Sequence, residues 1–275
     1  VTPLPSGPAG DGAGTGDGAD SAGRAWAGRV LRPNPFAGDD GSVDPAVAAA
    51  LALGEDERAD AVTAALASAR VLVPIVAHAH PGRTGEGGVA DHTAHGSDDP
   101  AGDACASAAM VSVRTPDGRA ALPVFSSLET MAAWDATARP VPVEAARAAL
   151  SAVSDADSLV VLDPAGPVTV LLGRPAVWAL AQGRAWTPSW RDPELPAVAA
   201  AALRGIRELL GVRLERGRRA ELRVVLAVDD RLDRERMADA VDRAGQALRD
   251  DPVLTDRVDS LELYPVPGHR GDAPT

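Results

Sequence analysis

Lysine is missing from this 275-residue chain, so all 27 of its basic residues are arginine. That absence excludes chemistry that needs a primary amine from the protein: a P-loop lysine, a Schiff-base lysine, or the phosphate-binding lysine of protein kinases. Cysteine is nearly missing too. One thiol, Cys105, cannot close an internal disulfide, which fits a reducing compartment, and no histidine or arginine adjoins it to favour a reactive thiolate. Aromatic residues make up only 3%, so any core must be built from Ala, Val and Leu. Together with two isoleucines and one asparagine, the missing lysine reads as high-GC coding. No apolar run approaches the roughly 20 residues that cross a bilayer, and the first residues lack the basic and apolar segments of a secretory signal. The net charge of −12 disfavours nucleic acid, whose phosphates would be repelled. The expectation is a cytoplasmic protein with no nucleic-acid or membrane partner.

What is present suits one large or two small domains, at 45% hydrophobic content. Residues 1–32 are Gly, Ala, Asp and Pro with few large apolar side chains and are expected to be a disordered tail. The "GAGTGD" within them puts Asp17 where a dinucleotide fingerprint needs its third glycine. Asp44 before Pro45 is an N-cap with proline at the first helical position, and that helix should stop at Gly54. A second helix is expected over about 55–69, with Val62 and Leu66 on one face. "RVLVPIVAH" reads as a strand that Pro74 confines to an edge or bulge. Val111 and Val113, then Leu122 and Val124, alternate around Pro116, Asp117 and Gly118 as a β-hairpin. Ser126 and Glu129 match a capping box for a helix ending near Trp134. A helix over about 143–153, strands at "SLVVLD" and "VTVLL", and a helix from Pro175 to Gly183 follow.

"RAWTPSWRDPELP" reads as the connection to a second part, expected to run helix 196–210, hairpin "VRLER"/"ELRVVLAV", helix "DRERMADAVDRAGQALRD" and strand "SLELYPV". This α-β-β-α-β order resembles part of a ferredoxin-like sheet. The expected fold is α/β of the α+β type: two small domains, 33–185 and 192–267, with mixed or antiparallel sheets carrying helices, and a disordered tail over 268–275.

Chemistry is sparse. Residues 78–105, "HAHPGRTGEGGVADHTAHGSDDPAGDAC", hold four of the five histidines. His78 and His80 would share one face of a continued strand, and His92 and His95 are spaced for paired ligation, so these four are metal-ligand candidates. No HExxH or CxxC accompanies them, and a flexible polar loop explains the same composition. Trp186 and Trp190 are candidates for a partner's docking surface or for packing at the domain seam. Arg213, Arg216, Arg218 and Arg219 are candidates for an anion or acidic partner, or charged guards of a hairpin edge with Glu215 and Glu221 partly neutralising them. Ser126 and Ser127 suit caps better than a nucleophile, since no G-x-S-x-G surrounds them. No catalytic residue and no cofactor is assigned.

Three runs carry a family resemblance: "RVLVPIVAH", "MVSVRTPDGRAALPVFSSLETMAAWDATARPVPVEAARAAL" and "SLVVLDPAGPVTVLLGRPAVWALAQG". With "FAGDDGSVDPAVAAAL" upstream and "RAELRVVLAV" to "DRVDSLELYPV" downstream, the chain resembles the SseB family, through the SseB N-terminal domain in its actinobacterial form. The resemblance transfers no catalytic residue and no cofactor. The histidine-bearing stretch falls where it lapses, as in a variable connector. The expected function is therefore a non-catalytic interaction or regulatory module with a protein partner, its oligomeric state open. A metal-binding protein using the histidine loop and an unrecognised hydrolase are the alternatives.

Overall fold

The computed structural model describes residues 35–76 and 111–269. Residues 1–39 form one unit, of which a turn over 35–38 is described; residues 40–275 form a second, compact unit. The expected tail over 1–32, the loop 78–105 with its four histidines and Cys105, and the last residues of the 268–275 tail lie outside the described residues.

The second unit is α+β, with eight α-helices and nine strands in three sheets among the described residues. It opens on α1 (Pro45–Leu51), whose N-terminal N–H groups donate to the Asp44 carboxylate, Ala46 N at 2.8 Å. This is the expected Asp-Pro start, although α1 stops at Leu51 and Gly54 is the N-cap of α2 (Glu55–Leu66). Val62 and Leu66 of α2 are fully buried, as their four-residue spacing predicts.

β1 (Arg70–Ile75) follows, then β2 (Val113–Arg114) and β3 (Ala120–Val124), the expected hairpin around Gly118 at φ +86°. α3 (Leu128–Trp134) is capped one residue later than the sequence suggests: Ser127 accepts from Thr130 N, and Thr130 replaces Glu129 in the box. Ser126 is instead buried. Its backbone N–H and its hydroxyl both donate to Asp163, at 2.7 and 2.6 Å, and the Thr130 hydroxyl adds a third bond at 2.7 Å.

β4 (Arg139–Glu144) pairs antiparallel with β1, and α4 (Ala145–Asp155) covers the sheet. The buried face of α4 is Ala145, Ala148, Ala149 and Ala152, small enough for a close approach. β5 (Val160–Leu162) lies parallel to β3 and antiparallel to β6 (Val170–Leu172), giving the order β2-β3-β5-β6. α5 (Arg174–Ala181) begins beside Pro175, and the chain turns at Gly183 with φ +64°. Leu66, Leu122, Leu162, Leu172 and Val177 centre the core of this half. Each such side chain contributes about 1.5–3 kcal/mol by leaving water.

A 3₁₀ turn at Ser189–Arg191 leads to α6 (Leu195–Ala202), β7 (Leu209–Arg216) and β8 (Leu222–Asp229). The helix expected over 196–210 ends early: Leu203 is its C-cap, and Leu209 already pairs with Val228. Leu209, Val212 and Leu214 pack partly buried against the core beneath β8, from a strand hydrogen-bonded to it. α7 (Arg234–Asp250) and α8 (Pro252–Arg257) then cross to β9 (Leu261–Gly268), which lies parallel to β8. α8 is an addition to the expected order, capped by the Asp251 carboxylate. Leu195, Leu222, Leu226, Ala244 and Leu248 centre a second core.

A candidate interaction groove

The β2–β3 turn, the N-terminal turn of α2 and the β7–β8 turn converge on one groove of about 410 Å³. Its base is an ion pair between residues 140 positions apart. Arg119 donates two hydrogen bonds to the Asp259 carboxylate, at 2.9 and 2.8 Å. Asp259 is almost wholly buried, with 3% of its side chain exposed. Burial alone would raise its pKa, but Arg119 and the backbone N–H of Arg174 outweigh that and hold it below the usual carboxylate range. Asp259 in turn raises the pKa of Arg119.

Glu221, next to this pair, is perturbed the other way. Burial raises its pKa, although it accepts from the backbone N–H groups of Asp259 at 2.7 Å and Ser189 at 3.3 Å. Two adjoining carboxyls are thus driven apart in proton affinity by their surroundings. Each accepts a backbone N–H from a distant part of the chain, so both fasten the seam.

The groove wall joins the two tryptophans to three of the arginines. Trp186 packs against the first core and Trp190 against the second, and both line the groove. Arg216 lies 6.0 Å from the Trp190 ring centre and reaches Glu55 at 2.8 Å and Asp56 at 3.4 Å on α2. Arg191 extends this clamp with an ion pair to Asp60 at 2.8 Å. Arg218 and Arg219 stand on the tight β7–β8 turn, exposed, and neither guanidinium has a hydrogen-bonding or ionic partner among the described residues. Gly217 is needed there, because a Cβ would lie 2.0 Å from Ala220 O. The Trp186 indole N–H is buried without an acceptor among the described residues.

Of the residues singled out from sequence, Trp186, Trp190, Arg216, Arg218 and Arg219 are therefore brought together. Arg213 is not: it points to solvent from β7 and pairs with Glu215 at 2.7 Å. Glu221 does not neutralise the arginine cluster as expected, because its carboxylate is spent on backbone donors. Sequence reasoning missed Arg119 and Asp259 and the bond that Glu221 makes to the Asp259 backbone, contacts between distant segments that leave no local pattern. Ser126 and Ser127 are held by Asp163 and by the cap of α3, and the one histidine among the described residues, His269, pairs with Asp230 at 2.9 Å. His78, His80, His92 and His95 lie outside the described residues, and no cluster that could hold a metal ion occurs among the described ones. No helix among the described residues is long and apolar enough to cross a membrane.

The Ser126–Asp163–Thr130 knot joins "LPVFSSLETMAAWD" to "LVVLDPAGPV", two of the segments that carry the family resemblance. Residues 43–179, the half of the chain that contains this knot, match the family model of the SseB protein N-terminal domain. No curated protein and no solved structure matches the chain significantly. Through that N-terminal domain, the chain belongs to the SseB family.

Proposed function

We propose that this SseB family protein is a non-catalytic, cytoplasmic interaction module whose working surface is the groove beside Trp186 and Trp190. The partner is an acidic protein segment carrying an aromatic or large apolar side chain. The observation that carries this reading is Arg218 and Arg219, two adjacent exposed guanidiniums without a carboxylate partner among the described residues, at a tryptophan-lined groove. In a protein of net charge −12, such a pair is a local reversal of the surrounding field, and it favours acidic partners. The apolar faces of Trp186 and Trp190, which both line the groove, supply anchoring area. The serines considered as nucleophiles are structural, which supports binding over hydrolysis.

Random-peptide display on the immobilised full chain tests this. The expected result is enrichment of peptides combining Asp or Glu with an aromatic residue, whose affinity falls about tenfold or more in Arg218→Glu/Arg219→Glu and in Trp190→Ala. Selection without a saturable binder, or binders indifferent to these substitutions, overturns the reading.

A further inference from the structure

A second cavity, of about 470 Å³, opens beside β1, away from the tryptophan groove, and its origin is a sheet that cannot close. Leu72 and Phe125 exchange both backbone hydrogen bonds, at 2.8 and 2.9 Å, the one bridge between β1 and β3. The next hydrogen-bonding pair along that antiparallel register would be Pro74 against Pro123. Neither has an N–H, so the ladder stops and the β1–β4 ribbon leaves β3. The walls so left are apolar: half-buried Val73 and Ile75 of β1 and Val141 and Val143 of β4, over a floor of buried Leu122 of β3 and Ala148 of α4.

The rim is not apolar. Arg147 and Ser151 of α4, four residues apart and so on one helix face, both line the cavity. Neither side chain has a hydrogen-bonding or ionic partner among the described residues. Beside them Leu150 is 52% exposed. An apolar trough of this size, ending in one unpaired guanidinium and a free hydroxyl, has the composition of a small-molecule site, which typically measures roughly 300–1,000 Å³.

We propose that this cleft binds a linear amphipathic carboxylate of the fatty-acid type. Its alkyl chain lies along Val73, Ile75, Val141 and Leu122, and its carboxylate accepts from Arg147 and Ser151. Among the described residues Arg147 is the one charged group lining the trough, which selects an anionic head, and the other lining side chains except Ser151 are apolar, which selects an unfunctionalised chain. Nothing here depends on the groove proposed above.

Calorimetric titration of the full chain with octanoate, decanoate and dodecanoate, below their micellar concentrations, tests it. Affinity is expected to rise about threefold to fourfold per added methylene until the trough is filled. Arg147→Glu, a surface change that leaves the core alone, is expected to weaken dodecanoate about tenfold or more and to favour dodecyltrimethylammonium instead. Val141→Trp, filling the trough, should abolish binding of both; its melting curve reports that it folds. Absence of saturable dodecanoate binding overturns the proposal. So does equal affinity of wild type and Arg147→Glu, or binding whose methyl shift changes centre on the Trp186–Trp190 groove.

Discussion

At the scale of single residues, carboxylates do most of the joining. Asp163 gathers three donors from the start of α3, and Asp259 takes Arg119 and Arg174 from the other half of the unit. Asp259 is held below its ordinary value of 3.8, so the stability it adds is present above that pH and is lost as pH falls through its lower folded value. Glu221 is raised above 4.5, so the folded state takes up its proton first and gains stability as pH falls toward 4.5. The two contributions have opposite sign and occupy different windows. Urea unfolding followed from pH 7 downward should therefore show no loss from this pair until the pH passes below 3.8. Asp259→Asn should cost about 2–4 kcal/mol at pH 7, since it leaves the Arg119 charge over a buried neutral group, and should flatten the acid limb. An unchanged acid limb in that variant would remove Asp259 from the account.

At the scale of elements, local chemistry was readable wherever one short pattern decided the outcome. Asp44-Pro45 starts α1, Pro116-Asp117-Gly118 turns the hairpin, and Gly183 ends the segment after α5. The same Asp-Pro signal at Asp251-Pro252 starts α8, directly after α7 ends at Asp250. The cap of α3 moved by one residue because Asp163, distant in sequence, claims Ser126 and leaves Ser127 to the helix. Leu209 and Leu210 fit a helical face equally well in isolation, and only pairing with β8 makes them strand. Replacing Asp251 by Ala should cost about 1 kcal/mol, read as a lowered melting temperature, because Val253 N and Leu254 N lose their acceptor. A melting temperature that does not move would mean that α8 is held by Leu254 packing alone.

At the scale of the molecule, the candidate site exists only because distant segments meet. The tryptophans and the arginine-rich turn were separately visible as residue types, but their meeting depends on Arg119–Asp259 and on the Arg216 and Arg191 clamps to α2. No periodicity or spacing encodes a contact across 140 positions. The clamps to α2 are solvent-exposed and worth about 0–1 kcal/mol each, so they set register more than stability. The seam instead rests on the buried end of the Arg119 pair and on the two cores it joins.

The most direct test of the central claim is a fluorescence-anisotropy titration of an acidic, aromatic-bearing peptide against wild type and Arg218→Glu/Arg219→Glu, repeated from low to high salt. The two substituted guanidiniums have no partner to lose among the described residues, so both proteins should melt alike. The account predicts saturable wild-type binding that weakens with salt, and a loss of about tenfold or more in the variant at low salt that narrows as screening grows. Equal affinity of the two proteins at low salt would contradict it.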